Sequence, residues 1–124
     1  MNKTLEGLRV LLLEDESLVF MDHHDLLLQM GAEVSGGMTL DAAFDAMNRG
    51  PINIGLLDVN IDGKMSYPVA EELVSRGIPV VFMTGYRSPA LAGKWAHFHF
   101  CEKPCTKEDI EALILKGLSD KPGA

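Results

Sequence analysis

INIGLLDVN, residues 52–60, decides the fold. Ile52, Ile54, Leu56, Leu57 and Val59 form an almost unbroken apolar run, with Gly50-Pro51 before it and the acid Asp58 near its carboxyl end. Strict alternation would mark a strand with one wet face, whereas a continuous short run marks a strand buried on both faces, as in parallel sheets. LLLEDE, residues 11–16, repeats the layout with Glu14 and Asp15 at its end, and two further runs end in Thr84 and Lys103. If the strands are parallel, their carboxyl ends share one edge, and Glu14, Asp15, Asp58, Thr84 and Lys103 converge in the crevice where open α/β sheets bind ligands. Three crowded carboxylates repel unless a cation sits among them, and hard oxygen ligands favour Mg²⁺. A lysine beside them suits a phosphoryl oxygen.

Outward from these runs, strand-like and helix-like segments alternate, the pattern of a doubly wound α/β fold with a five-stranded parallel sheet. Strands are predicted at about 9–13, 32–35, 52–59, 79–83 and 98–101. Ser17 is predicted to cap a first helix with Leu18, Met21, Leu26, Leu27 and Met30 on its apolar face, ended by Gly31. Thr39 opens a second helix whose Leu40, Ala43, Phe44 and Met47 recur at helical spacing, stopped by Gly50-Pro51. Residues 60–67 are predicted as a loop turning at Gly63, and Pro68 suits the first turn of a third helix closed by Gly77. Between 85 and 97, Gly93 interrupts a weak pattern that Ser88-Pro89 opens, so a short or irregular fourth helix is expected. Thr106 caps the last helix, with Glu108 and Asp109 at its positive end and Ile110, Leu113, Ile114 and Leu118 packing inward.

At 124 residues the chain fits one domain, expected over 1–119 with a flexible tail at 120–124 and no output domain. No apolar run is long enough to span a membrane, and the start does not look like a signal peptide, so a soluble cytoplasmic protein is expected. With 18 acidic against 11 basic residues the formal charge is −7, and no Lys/Arg cluster offers phosphate contacts, which argues against nucleic-acid binding. Cys101 and Cys105 are too few for a structural zinc site and are spaced so that a disulfide would be strained; reduced thiols are expected. His23, His24, His97 and His99 lack a matching ligand set and are expected to be exposed or to face a partner.

Glu14-Asp15 after the first strand, Asp58 after the third, Thr84 after the fourth and Lys103-Pro104 after the fifth together resemble the receiver domain of bacterial two-component response regulators. The resemblance covers nearly the whole chain and implies the flavodoxin-like strand order 2-1-3-4-5. LLDVNIDGKMSYPVAEEL and VVFMTGY resemble more closely the FATGUY group of mostly single-domain receivers, with Thr84-Gly85-Tyr86 as the Thr-Gly-Tyr triplet and Tyr67-Pro68 opening the third helix. Phe82-Met83-Thr84 stands where that group has Phe-Ala-Thr.

The resemblance implies a role for each residue. Asp58 is the phosphoacceptor, taking a phosphoryl group from a sensor histidine kinase or phosphotransfer protein. Mg²⁺ would be held by Asp15, by Asp58, by the main-chain carbonyl of Asn60 and, through water, by Glu14. Lys103, the Thr84 hydroxyl and the Gly85 amide would bind phosphoryl oxygens. Phe100, three residues before the lysine, is the switch aromatic, and because it lacks a hydroxyl Tyr86 is a second candidate. Ile61-Asp62 replaces the usual Met-Pro pair after the phosphoacceptor, so the following loop is expected to be shaped differently. Tyr86, Trp95 and Phe98 are a candidate patch for an unidentified downstream protein, unless Trp95 simply covers the sheet. A phosphate sink for a shared kinase is the alternative function. An aspartyl-phosphate phosphatase is more distant, since that class places a second acid where Asn60 stands. The chain is not expected to be an enzyme beyond catalysing its own phosphorylation and dephosphorylation.

Overall fold

The computed structural model describes residues 3–85, 91 and 93–120. Five strands, β1 (Arg9–Leu13), β2 (Glu33–Gly37), β3 (Ile54–Asp58), β6 (Val80–Thr84) and β7 (Phe100–Glu102), form one parallel sheet in the order β2-β1-β3-β6-β7. Counting only these five, that is the expected order 2-1-3-4-5. The crossovers carry α1 (Ser17–Gln29), α2 (Leu40–Arg49), α3 (Tyr67–Ser75) and a 3₁₀ turn at Gly93–His97, and α4 (Lys107–Ser119) follows β7.

Alternation along each strand sends side chains to two separate cores. Leu11, Leu13, Leu57 and Phe82 pack with Ala43 and Met47 of α2 and Leu73 of α3. Val10, Leu12, Leu56 and Val81 pack on the other face with Leu27 of α1 and Ile110 and Ile114 of α4. Each such leucine taken from water stabilises the fold by roughly 1.5–3 kcal/mol, so a sheet covered on both faces holds a chain of this length together. Because β3 is the middle strand of five, every residue from Ile54 to Asp58 is buried, which is why its sequence shows no alternation.

Local signals account for the helix ends. Thr39 accepts a hydrogen bond from the Ala42 amide, and Thr106 and Asp109 form a reciprocal capping box at α4. Gly31 follows α1 with φ 92° and Gly77 follows α3 with φ 75°, the left-handed conformation that ends helices.

Several expectations need correction. Ser17 is the first residue of α1 rather than its cap; the cap position is Glu16, with no side-chain cap bond. The buried face of α1 is the expected one only in part: Leu27 and Met30 are buried and Leu26 packs against the core, but Leu18 is 81% and Met21 59% exposed. The inward stripe runs through Phe20, His23, Leu27 and Met30. Its 3-4 spacing suits a helix equally well, but a histidine interrupts its apolar character. His23 is therefore buried, contrary to the exposed position expected of it, while His97 is exposed, His24 stacks on Phe20 and His99 pairs with Asp120 at 2.6 Å.

Residues 60–65 are not an irregular loop. β4 (Asn60–Ile61) and β5 (Lys64–Met65) pair antiparallel around Asp62-Gly63, whose φ values of 50° and 84° make the two-residue Asp-Gly turn typical of hairpins. Of the two readings of Trp95, the structure bears out the one in which it covers the sheet and not the exposed patch. Trp95 is buried, stacked on Tyr67 at 5.4 Å and 2° and edge-on to Phe82 and Phe98, so it closes the core. Tyr86, Ser88 and Pro89 lie outside the described residues, as do 121–124 of the expected tail; Asp120 caps the end of α4. Among the described residues no helix is long and apolar enough to cross a membrane.

Candidate phosphoryl-transfer site

The parallel sheet brings the expected side chains to one edge. Asp58 ends β3 and is 4% exposed, Thr84 ends β6 and is also buried, and Glu14 follows β1 with no exposure. The Lys103 amide donates to the Thr84 carbonyl at 2.8 Å, extending the β6–β7 ladder by one step and delivering the lysine to the site. Its Nζ donates to Asp58 Oδ2 at 2.8 Å and to Glu14 Oε1. One ammonium thus bridges two buried carboxylates.

That compensation is incomplete. Burial pushes the Glu14 carboxyl up to about 7, against the opposing bonds from Lys103 and the Glu16 amide. Burial likewise raises Asp58, with Lys103 opposing. Lys103 shows the complement: burial lowers its proton affinity, but the bonds to Asp58 and Glu14 outweigh this and hold it above its ordinary value. Two carboxyls held above their ordinary range beside a single lysine form a site short of positive charge.

Asp15 stands at the wall and is tied to the hairpin, its Oδ2 accepting the Asp62 amide at 2.8 Å. Asn60 Oδ1 accepts the Gly63 amide at 2.8 Å, so its side chain serves the turn, consistent with a contribution to the site through the main chain. Glu16 lines the cleft and is exposed, and Glu14, Asp15 and Glu16 each present a carboxylate oxygen within 4.8 Å of the others. Asp58 is not in that trio and joins the site through Lys103. An all-oxygen donor set with buried, undercompensated carboxyls fits a hard divalent cation such as Mg²⁺. Gly85 lines the cleft, Phe100 is 56% exposed on the edge strand, and Tyr86 is outside the described residues.

The cleft has a volume of about 770 Å³ and is lined by Asp58, Lys103, Pro104 and Cys105 and, on α1, by Leu18, Val19, Asp22 and His23. Cys101 and Cys105 are free thiols, and burial pushes Cys105 further from its thiolate. His23 was missed as a site residue; the only sequence signal was a polar residue on the stripe Phe20, Leu27, Met30. It is 3% exposed with Nδ1 unpartnered. Burial holds its imidazole below the ordinary value, Asp22 opposing and Lys103 reinforcing.

The unfolded chain protonates His23 near pH 6.5 and the folded chain resists, so its contribution to stability is present above that pH and lost as pH falls below it. Relative to His23→Val, wild type is expected to lose stability in urea unfolding as pH drops from about 6.5 to about 5. A constant difference across that range would contradict the neutral, buried assignment.

No family model and no curated relative matches the chain. Solved structures do. SdrG from Sphingomonas melonis Fr1 is 32% identical, the match covering 90% of this chain and 93% of that one, with a TM-score of 0.74. The PhyR response regulator REC domain of Erythrobacter litoralis is 24% identical over 96% and 95%, with a TM-score of 0.82. The response regulator PhyR from Brucella abortus is 28% identical with a TM-score of 0.77, the match covering 90% of this chain but 48% of that protein. The shared strand order, the acids and lysine at its carboxyl edge and a likeness spanning whole receivers lead to one assignment: the chain belongs to the response regulator receiver domains.

Proposed function

We propose that this receiver accepts a phosphoryl group on Asp58 with Mg²⁺, from a sensor histidine kinase or phosphotransfer protein in the cytoplasm, and signals by changing its affinity for another protein. The observation that carries this is the pairing of Asp58 Oδ2 with Lys103 at 2.8 Å on the floor of an open cleft. A structural ion pair has no need of a cleft, whereas a nucleophilic carboxylate does.

Attack by Asp58 brings two anions together. A divalent ion bound there would screen that charge. Asp15, with Glu14 and Asp58 beside it and the Asn60 carbonyl, would hold the ion. Lys103 keeps Asp58 oriented before transfer and then pairs with a phosphoryl oxygen; the Thr84 hydroxyl and Gly85 amide donate to others. Catalysis by the chain is limited to its own phosphorylation and dephosphorylation. Asp15 is bonded to the hairpin and Thr84 ends the strand that carries Phe82, so a change at Asp58 has a short mechanical route to the Tyr67–Trp95–Phe98 cluster. Phe100 and Tyr86 remain the proposed switch aromatics. Leu18, which lines the cleft, and Met21, three residues further along α1, are exposed apolar side chains suited to a docking donor protein. The net charge of −7 speaks against nucleic acid.

Beryllium fluoride, which mimics the aspartyl phosphate, tests the switch when titrated with and without Mg²⁺ while amide shifts and Trp95 emission are recorded. Mg²⁺-dependent changes are expected to spread from Asp58 through Thr84 to Trp95 and Phe100. Changes confined to the cleft would instead support the phosphate sink.

A further inference from the structure

The cleft is larger than a phosphoryl group and a metal ion require; at about 770 Å³ it is the size of a small-molecule pocket. Besides Asp58 and Lys103 it is lined by Leu18, Val19, Asp22 and His23 of α1 and by Pro104, and this α1–Pro104 side forms its outer arm. Lys103 is the only lysine or arginine among the described residues that line it, and it is turned toward Glu14 and Asp58. His23 is more than nine-tenths buried with an unpartnered Nδ1, so this wall carries a polar ring that makes no Nδ1 bond in the fold. Asp22, by contrast, is exposed.

We propose that this arm seats the leaving imidazole of a phosphohistidine donor and that Asp22 is the specificity residue that selects it. This rests on the reading of Asp58 as phosphoacceptor. A planar ring fits between apolar side chains on α1 and the proline wall, and its distal N–H needs an acceptor, which the Asp22 carboxylate supplies. In the transfer the P–N bond breaks, its electron pair stays on the imidazole nitrogen, and a P–O bond forms to the Asp58 carboxylate. The donor ring, an imidazolium while phosphorylated, departs as neutral imidazole and keeps its distal proton. Asp22 takes no proton; it binds and orients the cationic ring. His23, neutral in its buried setting, adds no charge to repel that ring. An acyl phosphate offers neither the cation nor the N–H, and the ammonia leaving group of phosphoramidate is too small to span the arm.

The test compares phosphorylation of Asp58 by phosphoimidazole and by phosphoramidate, each with Mg²⁺, in wild type, Asp22→Asn and Asp25→Asn. Asp25 lies on the same helix, exposed and outside the cleft lining, and controls for the general loss of a negative charge. Asp22→Asn is expected to lower the second-order rate with phosphoimidazole about tenfold, the value of one charge-assisted hydrogen bond, and to leave phosphoramidate within about twofold. Asp25→Asn is expected to change neither. An equal loss with both donors, or no loss with phosphoimidazole, overturns the assignment of Asp22. Failure of both donors to modify wild-type Asp58 would instead overturn the phosphoacceptor reading.

Discussion

Asp58→Asn is expected to reduce phosphoryl incorporation on the order of a thousandfold or more, as removal of a covalent nucleophile does in enzymes. The carboxamide has the same shape but no anionic oxygen to attack phosphorus, and Lys103 retains Glu14 as a partner. The fold should survive intact. Asp58 is held above its ordinary range chiefly by burial, so replacing it with a neutral isostere removes a poorly compensated charge, and the thermal midpoint should stay or rise. Incorporation is read by phosphate-affinity electrophoresis and folding by thermal denaturation. A variant that unfolds, or one that is still modified at the wild-type rate, contradicts the role given to Asp58.

Removal of Mg²⁺ should slow transfer by about a hundredfold or more, since a divalent ion contributes several kcal/mol where two anions meet. Lys103 cannot substitute, because its single charge already answers both Glu14 and Asp58. The affinity for Mg²⁺ should also depend on pH. Glu14 titrates near 7, so below that value a proton must leave before the carboxylate can face the ion, and above it the anion is already formed. Affinity should therefore rise from about pH 6 to about pH 8, with proton release that fades at the upper end. Calorimetry in buffers of different ionisation enthalpy measures both. Glu14→Gln should flatten the dependence, and a wild-type affinity independent of pH would show that Glu14 is not part of the metal site.

The sheet and the edge that gathers Glu14, Asp58, Thr84 and Lys103 were legible because parallel strands buried on both faces must be continuous apolar runs, and because those side chains stand where the runs end. Asp58, Thr84 and Lys103 are read from their position at strand ends, which packing cannot move. The inward face of α1 was legible only in part: Leu27 and Met30 are inward as expected, but Leu18 and Met21 continue them into as good a stripe as Phe20 and His23 do, and only tertiary packing decides between the two. His23 is buried because it shares the second stripe. The hairpin around Asp62-Gly63 escaped because each of its strands is two residues long, too short for periodicity, although the Asp-Gly pair signals the turn. Trp95 carried no pattern distinguishing a core side chain from a surface one; its burial comes from Tyr67 and Phe82, distant in sequence.

The central claim, that Asp58 takes a covalent phosphoryl group with Mg²⁺, is tested most directly by the intact mass of the protein after incubation with phosphoramidate, followed by peptide mapping. The account predicts the gain of one phosphoryl group on the peptide containing Asp58, labile to hydroxylamine as an acyl phosphate is, and absent with chelator or in Asp58→Asn. No gain in wild type, or a gain that persists in Asp58→Asn, would contradict it.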